Sequence, residues 1–198
     1  MELYAAAGVE FVLHLRSQGK RVFLDLKLYD IGETVKRATR QLCARTGATF
    51  LTVHGSRAVM RAAVEGRGAS ETRLLAVTVL TSFDQDDLID LGYPSSASDL
   101  VELRVRKAKD AGIDGIVCSP LEVARVRQIA GTEMTLVTPG VRSRGSSSGD
   151  QKRIATPHDA LRDGADYLVM GRQITRAADP RAACQEVLQE ISSNSLQQ

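Results

Sequence analysis

Val22-Phe23-Leu24-Asp25-Leu26-Lys27-Leu28-Tyr29-Asp30-Ile31-Gly32-Glu33-Thr34 passes from an apolar strand run into a helical pattern across one short turn. A strand that feeds a helix in this way is the building unit of a parallel α/β fold. Side chains alternate faces along a strand, so Asp25 and Lys27 are expected to point the same way, about 7 Å apart. Asp30 then follows on the loop. Two carboxylates flanking an ammonium at the carboxyl end of a strand are costly if buried, which points to catalysis. A purely structural reading stays open beside it. Asp30 and Glu33 fit a capping box, and Lys27 with Asp25 fits a surface ion pair, which contributes little.

Outward from this stretch the chain keeps alternating. Apolar, β-branched runs predict strands over 21–27, 49–53, 74–80, 115–118, 135–138 and 167–170. Amphipathic stretches predict helices over 3–18, 33–45, 57–65, 99–111, 121–130, 158–162 and 179–192. The strands are apolar on both faces, as in a parallel sheet covered by helices. Either a (β/α)8 barrel or an open doubly wound sheet satisfies this pattern. In a barrel the last two strand–loop junctions hold phosphate. Here those junctions read Thr138-Pro139-Gly140-Val141-Arg142 and Met170-Gly171-Arg172. Glycine lets backbone N–H groups approach an anion, and arginine grips phosphate with a planar fork. One Gly-Arg is equally a turn beside a solvated arginine; two in succession point to a phosphate monoester site. The Ser- and Gly-rich stretch 143–149 reads by composition as a surface loop. After a phosphate-binding arginine it also suits a lid. Thr81 and Ser82 offer hydroxyls after the third strand, and His54 reads as a hydrogen-bonded structural histidine.

The 198 residues are one domain's worth, with 43% apolar and 25% charged residues, as in soluble globular proteins. A net charge of +2 without a basic run or aromatic platform argues against a nucleic-acid partner. No apolar stretch approaches the roughly 20 residues of a membrane span, and the first residues lack a basic signal-peptide region. Cys43, Cys118 and Cys184 are scattered, which fits neither a disulfide framework nor a zinc site and suits a reducing cytoplasm.

Five pieces in this order and spacing resemble the orotidine 5'-phosphate decarboxylase family. They are Asp25-x-Lys27-x-x-Asp30-Ile31-x-x-Thr34, Val77-Thr78-Val79-Leu80-Thr81-Ser82, Val137-Thr138-Pro139-Gly140-x-Arg142, Gly149-Asp150-Gln151 and Gly171-Arg172. The resemblance implies a TIM (β/α)8 barrel that converts orotidine monophosphate to uridine monophosphate in pyrimidine biosynthesis. It implies no metal and no organic cofactor, a small-molecule nucleotide substrate, and a cytoplasmic homodimer with shared active sites. It makes Lys27 the proton donor to C6 and sets Asp25 beside the substrate carboxylate. Asp30, Ile31 and Thr34 then reach the partner subunit's site. Thr81 contacts the pyrimidine, while Arg142, Gln151, Gly171 and Arg172 hold the phosphate. Related barrels with the same strand motif, a 3-keto-gulonate phosphate decarboxylase or a hexulose phosphate synthase, use a metal. The Thr-Pro-Gly-x-Arg and Gly-Asp-Gln pieces favour the orotidine branch. An inactive nucleotide-binding paralogue is the non-enzyme alternative.

Family members usually carry His where this chain has Tyr29, and Pro-Asn where it has Gly32-Glu33. They also begin with two strands, bearing an aspartate and a lysine of the charged network, that have no counterpart ahead of Leu3. Residues 1–198 are therefore expected to form a single, N-terminally truncated barrel domain of about six strands. Little activity is expected from this chain by itself.

Overall fold

The computed structural model describes residues 1–143 and 155–193. Along the first part run α1 (Glu2–Ser17), β1 (Phe23–Leu28), α2 (Gly32–Thr46), β2 (Phe50–His54), α3 (Arg57–Arg67) and β3 (Arg73–Val77). Then come α4 (Gln85–Asp90), α5 (Ala97–Ala111), β4 (Gly115–Val117), α6 (Val123–Ala130) and β5 (Thr135–Pro139). The chain closes with α7 (Pro157–Arg162), β6 (Tyr167–Val169), α8 (Arg172–Thr175) and α9 (Pro180–Ser193). The six strands form one sheet in the order β1-β2-β3-β4-β5-β6. A doubly wound sheet reverses its strand order at a switch point; this one never does. Sequential order is the barrel's, and six strands fit an incomplete (β/α)8 barrel.

The chain divides into two compact units, which are described separately. The first holds Met1–Thr78 and Arg104–Ile116; the second holds Val79–Leu103 and the described residues from Val117 onward. In the first, β2 pairs in parallel with β1 and with β3, Phe50 lying opposite Phe23 and Arg73. Leu24, Leu51, Val53, Leu74, Leu75 and Ala76 of these strands are buried, as are Val35, Val59, Met60 and Ala63 of α2 and α3. Each of the Leu, Val and Met side chains stabilises the fold by about 1.5–3 kcal/mol on burial. At Gly66 the backbone of Lys36 occupies the place of a Cβ, so the α2–α3 contact requires glycine there.

The predicted strand 74–80 ends three residues early, at Val77. The Val77 carbonyl accepts from Gly55 N–H, and the Thr78 carbonyl accepts from Arg104 Nη1. Val79 is nonetheless buried, so the apolar run outlasts the sheet pairing. Helix α4 went unforeseen because it is short and half of its residues are acidic. Asp84 caps it, accepting from the Asp86 and Asp87 N–H groups, while Asp87 Oδ2 accepts from Asp84 N–H. The still shorter α8 was also missed.

One device occurs in each unit. Asp114, just before β4, accepts the Leu74 N–H at 2.7 Å and pairs with Arg67 at the end of α3. Asp166, just before β6, accepts the Leu136 N–H at 2.7 Å and pairs with Arg127 of α6 at 2.8 Å. Arg127 also donates to the carbonyls of Gly131, Met134 and Gly164. A single carboxylate thus ties the start of one strand to the start of the next and to the helix that precedes the first of them. Asp166→Ala is expected to cost about 1.5–2 kcal/mol, the lower part of the range for hydrogen bonds to charged groups, because the carboxylate is half exposed. Asp166→Asn, which keeps an acceptor, should lose less. Urea denaturation of both variants measures this, and equal losses would deny the carboxylate its bridging role.

Candidate active site

At the carboxyl end of β1 the ladder breaks. Leu24 lies opposite Leu51, yet Leu28 lies opposite Val53, so four steps along β1 match two along β2. Lys27 has φ 53°, making it the non-glycine residue with positive φ among those described. A side chain in that region costs on the order of 1–3 kcal/mol and persists only where the surroundings enforce it. Here Thr52 does so. The Lys27 N–H donates to Thr52 Oγ1 at 2.9 Å, and Thr52 Oγ1 donates to Asp25 Oδ1 at 2.8 Å. Lys27 Nζ closes the circuit on Asp25 Oδ2 at 2.5 Å. Asp25 and Lys27 do meet, as expected, but through this bulge and not through regular strand alternation. Thr52 is fully buried, whereas the Asp25 and Lys27 side chains are each 35% exposed. The pair is anchored from below and open above.

The capping box expected at Asp30 and Glu33 does not form. Ile31 is the N-cap of α2 and makes no side-chain cap bond; Asp30 lies one residue outside the helix. Asp30 Oδ1 accepts only its neighbour's N–H, that of Ile31, at 2.7 Å, and makes no ion pair among the described residues. Asp30, Ile31 and Thr34 are all exposed, as is Tyr29.

His54 also differs from expectation. Its Nδ1 is buried and has no hydrogen-bond partner among the described residues. The ring lies against Tyr29, centroids 4.2 Å apart and planes 33° apart. Burial, with a smaller push from the Arg104 guanidinium, lowers its pKa from 6.5 to about 4. The imidazole is therefore neutral at neutral pH.

In the second unit, Thr81 is buried in the segment between β3 and α4. Arg142 follows β5; its N–H donates to the Ala155 carbonyl at 3.0 Å and its Nη1 to the Val141 carbonyl at 2.7 Å. Gly171 is the N-cap of α8 and Arg172 its first residue, both exposed. The Ser143 N–H donates to Gln173 Oε1 at 3.1 Å, which ties the segment behind Arg142 to the helix that carries Arg172. The two predicted phosphate junctions are brought together by this bond. Gln151 and residues 144–149 of the expected lid lie outside the described residues. Thr52 and Gln173 escaped the sequence reading. A threonine inside an otherwise apolar run was the available signal for Thr52; nothing marked Gln173.

No group of three or more His, Cys, Asp or Glu side chains able to hold a metal occurs among the described residues. No described helix is long and apolar enough to cross a membrane. Six strands in sequential order define the class as an α/β protein with an incomplete barrel. Comparison with known proteins narrows the class. The sequence model described as "Orotidine 5'-phosphate decarboxylase / HUMPS family" matches residues 1–187. An orotidine 5'-phosphate decarboxylase of Rhodopseudomonas palustris (strain BisA53) is 56% identical over 190 residues, 96% of this chain and 80% of that protein. One from Caulobacter sp. (strain K31) is 52% identical over 192 residues, covering 97% and 83%. The crystal structure of the enzyme from Lactobacillus acidophilus superposes with a TM-score of 0.80 at 35% identity, covering 93% of this chain and 81% of that one. The chain belongs to the orotidine 5'-phosphate decarboxylase family.

The depressed pKa of His54 has a consequence for stability. Between pH 6.5 and about 4 the unfolded chain takes up a proton that the folded chain does not. Its contribution is complete above pH 6.5 and is lost as pH falls toward 4. His54→Phe should flatten that part of the stability–pH curve, followed by chemical denaturation at a series of pH values. An unchanged slope would mean the imidazole titrates normally in the folded chain.

Proposed function

We propose that this fold and site serve the decarboxylation of orotidine 5'-phosphate to uridine 5'-phosphate, with Lys27 as the proton donor. The circuit of Thr52, Asp25 and Lys27 carries this reading: it fixes an ammonium at a strand end in a strained, enforced conformation. In the reaction the bond from C6 to the carboxylate breaks and carbon dioxide leaves. The electron pair remaining at C6 takes a proton from Lys27 Nζ. Asp25 holds the ammonium through its Oδ2 and sets a negative charge beside the substrate carboxylate, disfavouring the ground state more than the transition state. Thr81 contacts the pyrimidine. Arg142, Gln151, Gly171 and Arg172 hold the phosphate, whose binding energy is used at the reacting carbon.

The active enzyme is a cytoplasmic homodimer in this reading, with Asp30, Ile31 and Thr34 serving the partner subunit's site. The exposed Asp30 carboxylate and the exposed Ile31 and Tyr29 support that part. No metal is required, so turnover is expected to survive EDTA.

Lys27→Ala should lower turnover of orotidine monophosphate by at least the 10²–10⁴-fold typical of a proton-transfer group, while uridine monophosphate binding stays measurable. A loss below about tenfold would remove Lys27 from the chemistry. Arg172→Ala should weaken uridine monophosphate by about 2–3 kcal/mol, as for a charge-assisted hydrogen bond, and leave uridine unaffected. Calorimetry on both ligands decides this, equal losses pointing to a structural arginine.

A further inference from the structure

The first unit contains a groove of about 530 Å3 at the amino ends of β1, β2 and β3, the ends opposite Lys27. Arg16, Lys20 and Arg21 line it, against the single acid Glu71. Arg21 lies two residues before β1 and Lys27 near its far end, six positions on and roughly 20 Å away if extended, so the groove is distinct from the site described above. Its volume lies in the range of small-ligand pockets.

The Arg–Asp device of the fold shows what this groove lacks. In two places a helix arginine meets an aspartate that follows a Gly-x pair and precedes a strand: Arg67 with Gly112-Ile113-Asp114, and Arg127 with Gly164-Ala165-Asp166. The third instance is Arg16 with Gly47-Ala48-Thr49. Arg16 keeps the geometry. It donates from Nη1 to the Thr46 carbonyl at 3.1 Å, and its guanidinium fills the space a Cβ at Gly47 would need, where φ is 52°. The carboxylate, however, is replaced by Thr49, and Arg16 has no ion pair among the described residues. Lys20 and Arg21 add positive charge at that same point. Hydroxyls of Thr49, Ser70 and the buried Thr72 supply further polar groups.

We infer that this groove binds a small phosphorylated anion, which supplies the negative charge that Asp114 and Asp166 supply in the other two instances. Three cations against one acid match a dianion, and a guanidinium held by its helix-end carbonyl presents its remaining donors ready-placed. The strand starts of a barrel ordinarily carry stability rather than chemistry. Occupancy here accordingly couples ligand to fold: a bound anion would clamp β1 to β2 as the aspartates clamp their strands.

Inorganic pyrophosphate serves as the probe, titrated into the 198-residue chain at constant ionic strength while backbone amide resonances are followed. Saturable shifts are expected at Gly19, Gly47, Ser70 and Thr72. Thr49→Asp, which installs the missing carboxylate, should abolish these shifts and raise the melting temperature of the free chain. Lys20→Gln combined with Arg21→Gln should weaken pyrophosphate at least tenfold. Shifts restricted to Arg142, Gly171 and Arg172, shifts reproduced by sodium chloride alone, or a Thr49→Asp chain that binds as before would each overturn the inference. It does not rest on the decarboxylase reading, since neither Lys27 nor Arg172 enters it.

Discussion

A carboxylate that takes a backbone N–H from the start of one strand and a guanidinium from the preceding helix is the constraint on which the strand geometry rests. Asp114 and Asp166 each do this, in separate units. A parallel strand leaves its first N–H groups without a helix or turn to receive them, and an unmet buried donor costs about 1–3 kcal/mol. One aspartate meets that need and fixes where the next strand begins. At the opposite, carboxyl end of the sheet, β1 departs from regular geometry.

That departure is where chemistry is gathered. Lys27 loses its ladder hydrogen bond and takes a positive φ, and the threonine of the neighbouring strand replaces the missing acceptor. Since the same hydroxyl then donates to Asp25, backbone strain and side-chain placement are fixed by one group. Strain of this kind persists only where the scaffold over-determines it. The Asp25–Lys27 pair, about a third exposed, stabilises the fold little in its open state. Covering it with a ligand would strengthen every charge interaction within it, because the effective dielectric falls.

His54 ends the neighbouring strand, β2. Its ring lies against Tyr29, its Nδ1 lacks a partner among the described residues, and burial keeps it uncharged. A neutral ring adds no third charge near the acid–ammonium circuit. Tyr29, at a position where the family usually has histidine, covers it with an aromatic face instead.

Much of the fold was legible in the chain because β2 to β5 are buried on both faces, and two-sided burial writes a nearly uninterrupted apolar run. The partly exposed β1 and β6 were located from shorter apolar runs. The acid–lysine motif and the two Gly-Arg turns were legible as well, since they are local in sequence. Periodicity alone left barrel and doubly wound sheet open and the resemblance pointed to the barrel; strand order, a relation among distant segments, bears the barrel out. Only tertiary structure brought Thr52 to Asp25 and Gln173 to Ser143, contacts across 27 and 30 residues. It alone ended β3 at Val77, because burial of Val79 imitates strand pairing in the sequence. Local pattern reports which side chains avoid water, whereas hydrogen-bond partners and backbone strain are set by whichever distant segment folding brings alongside.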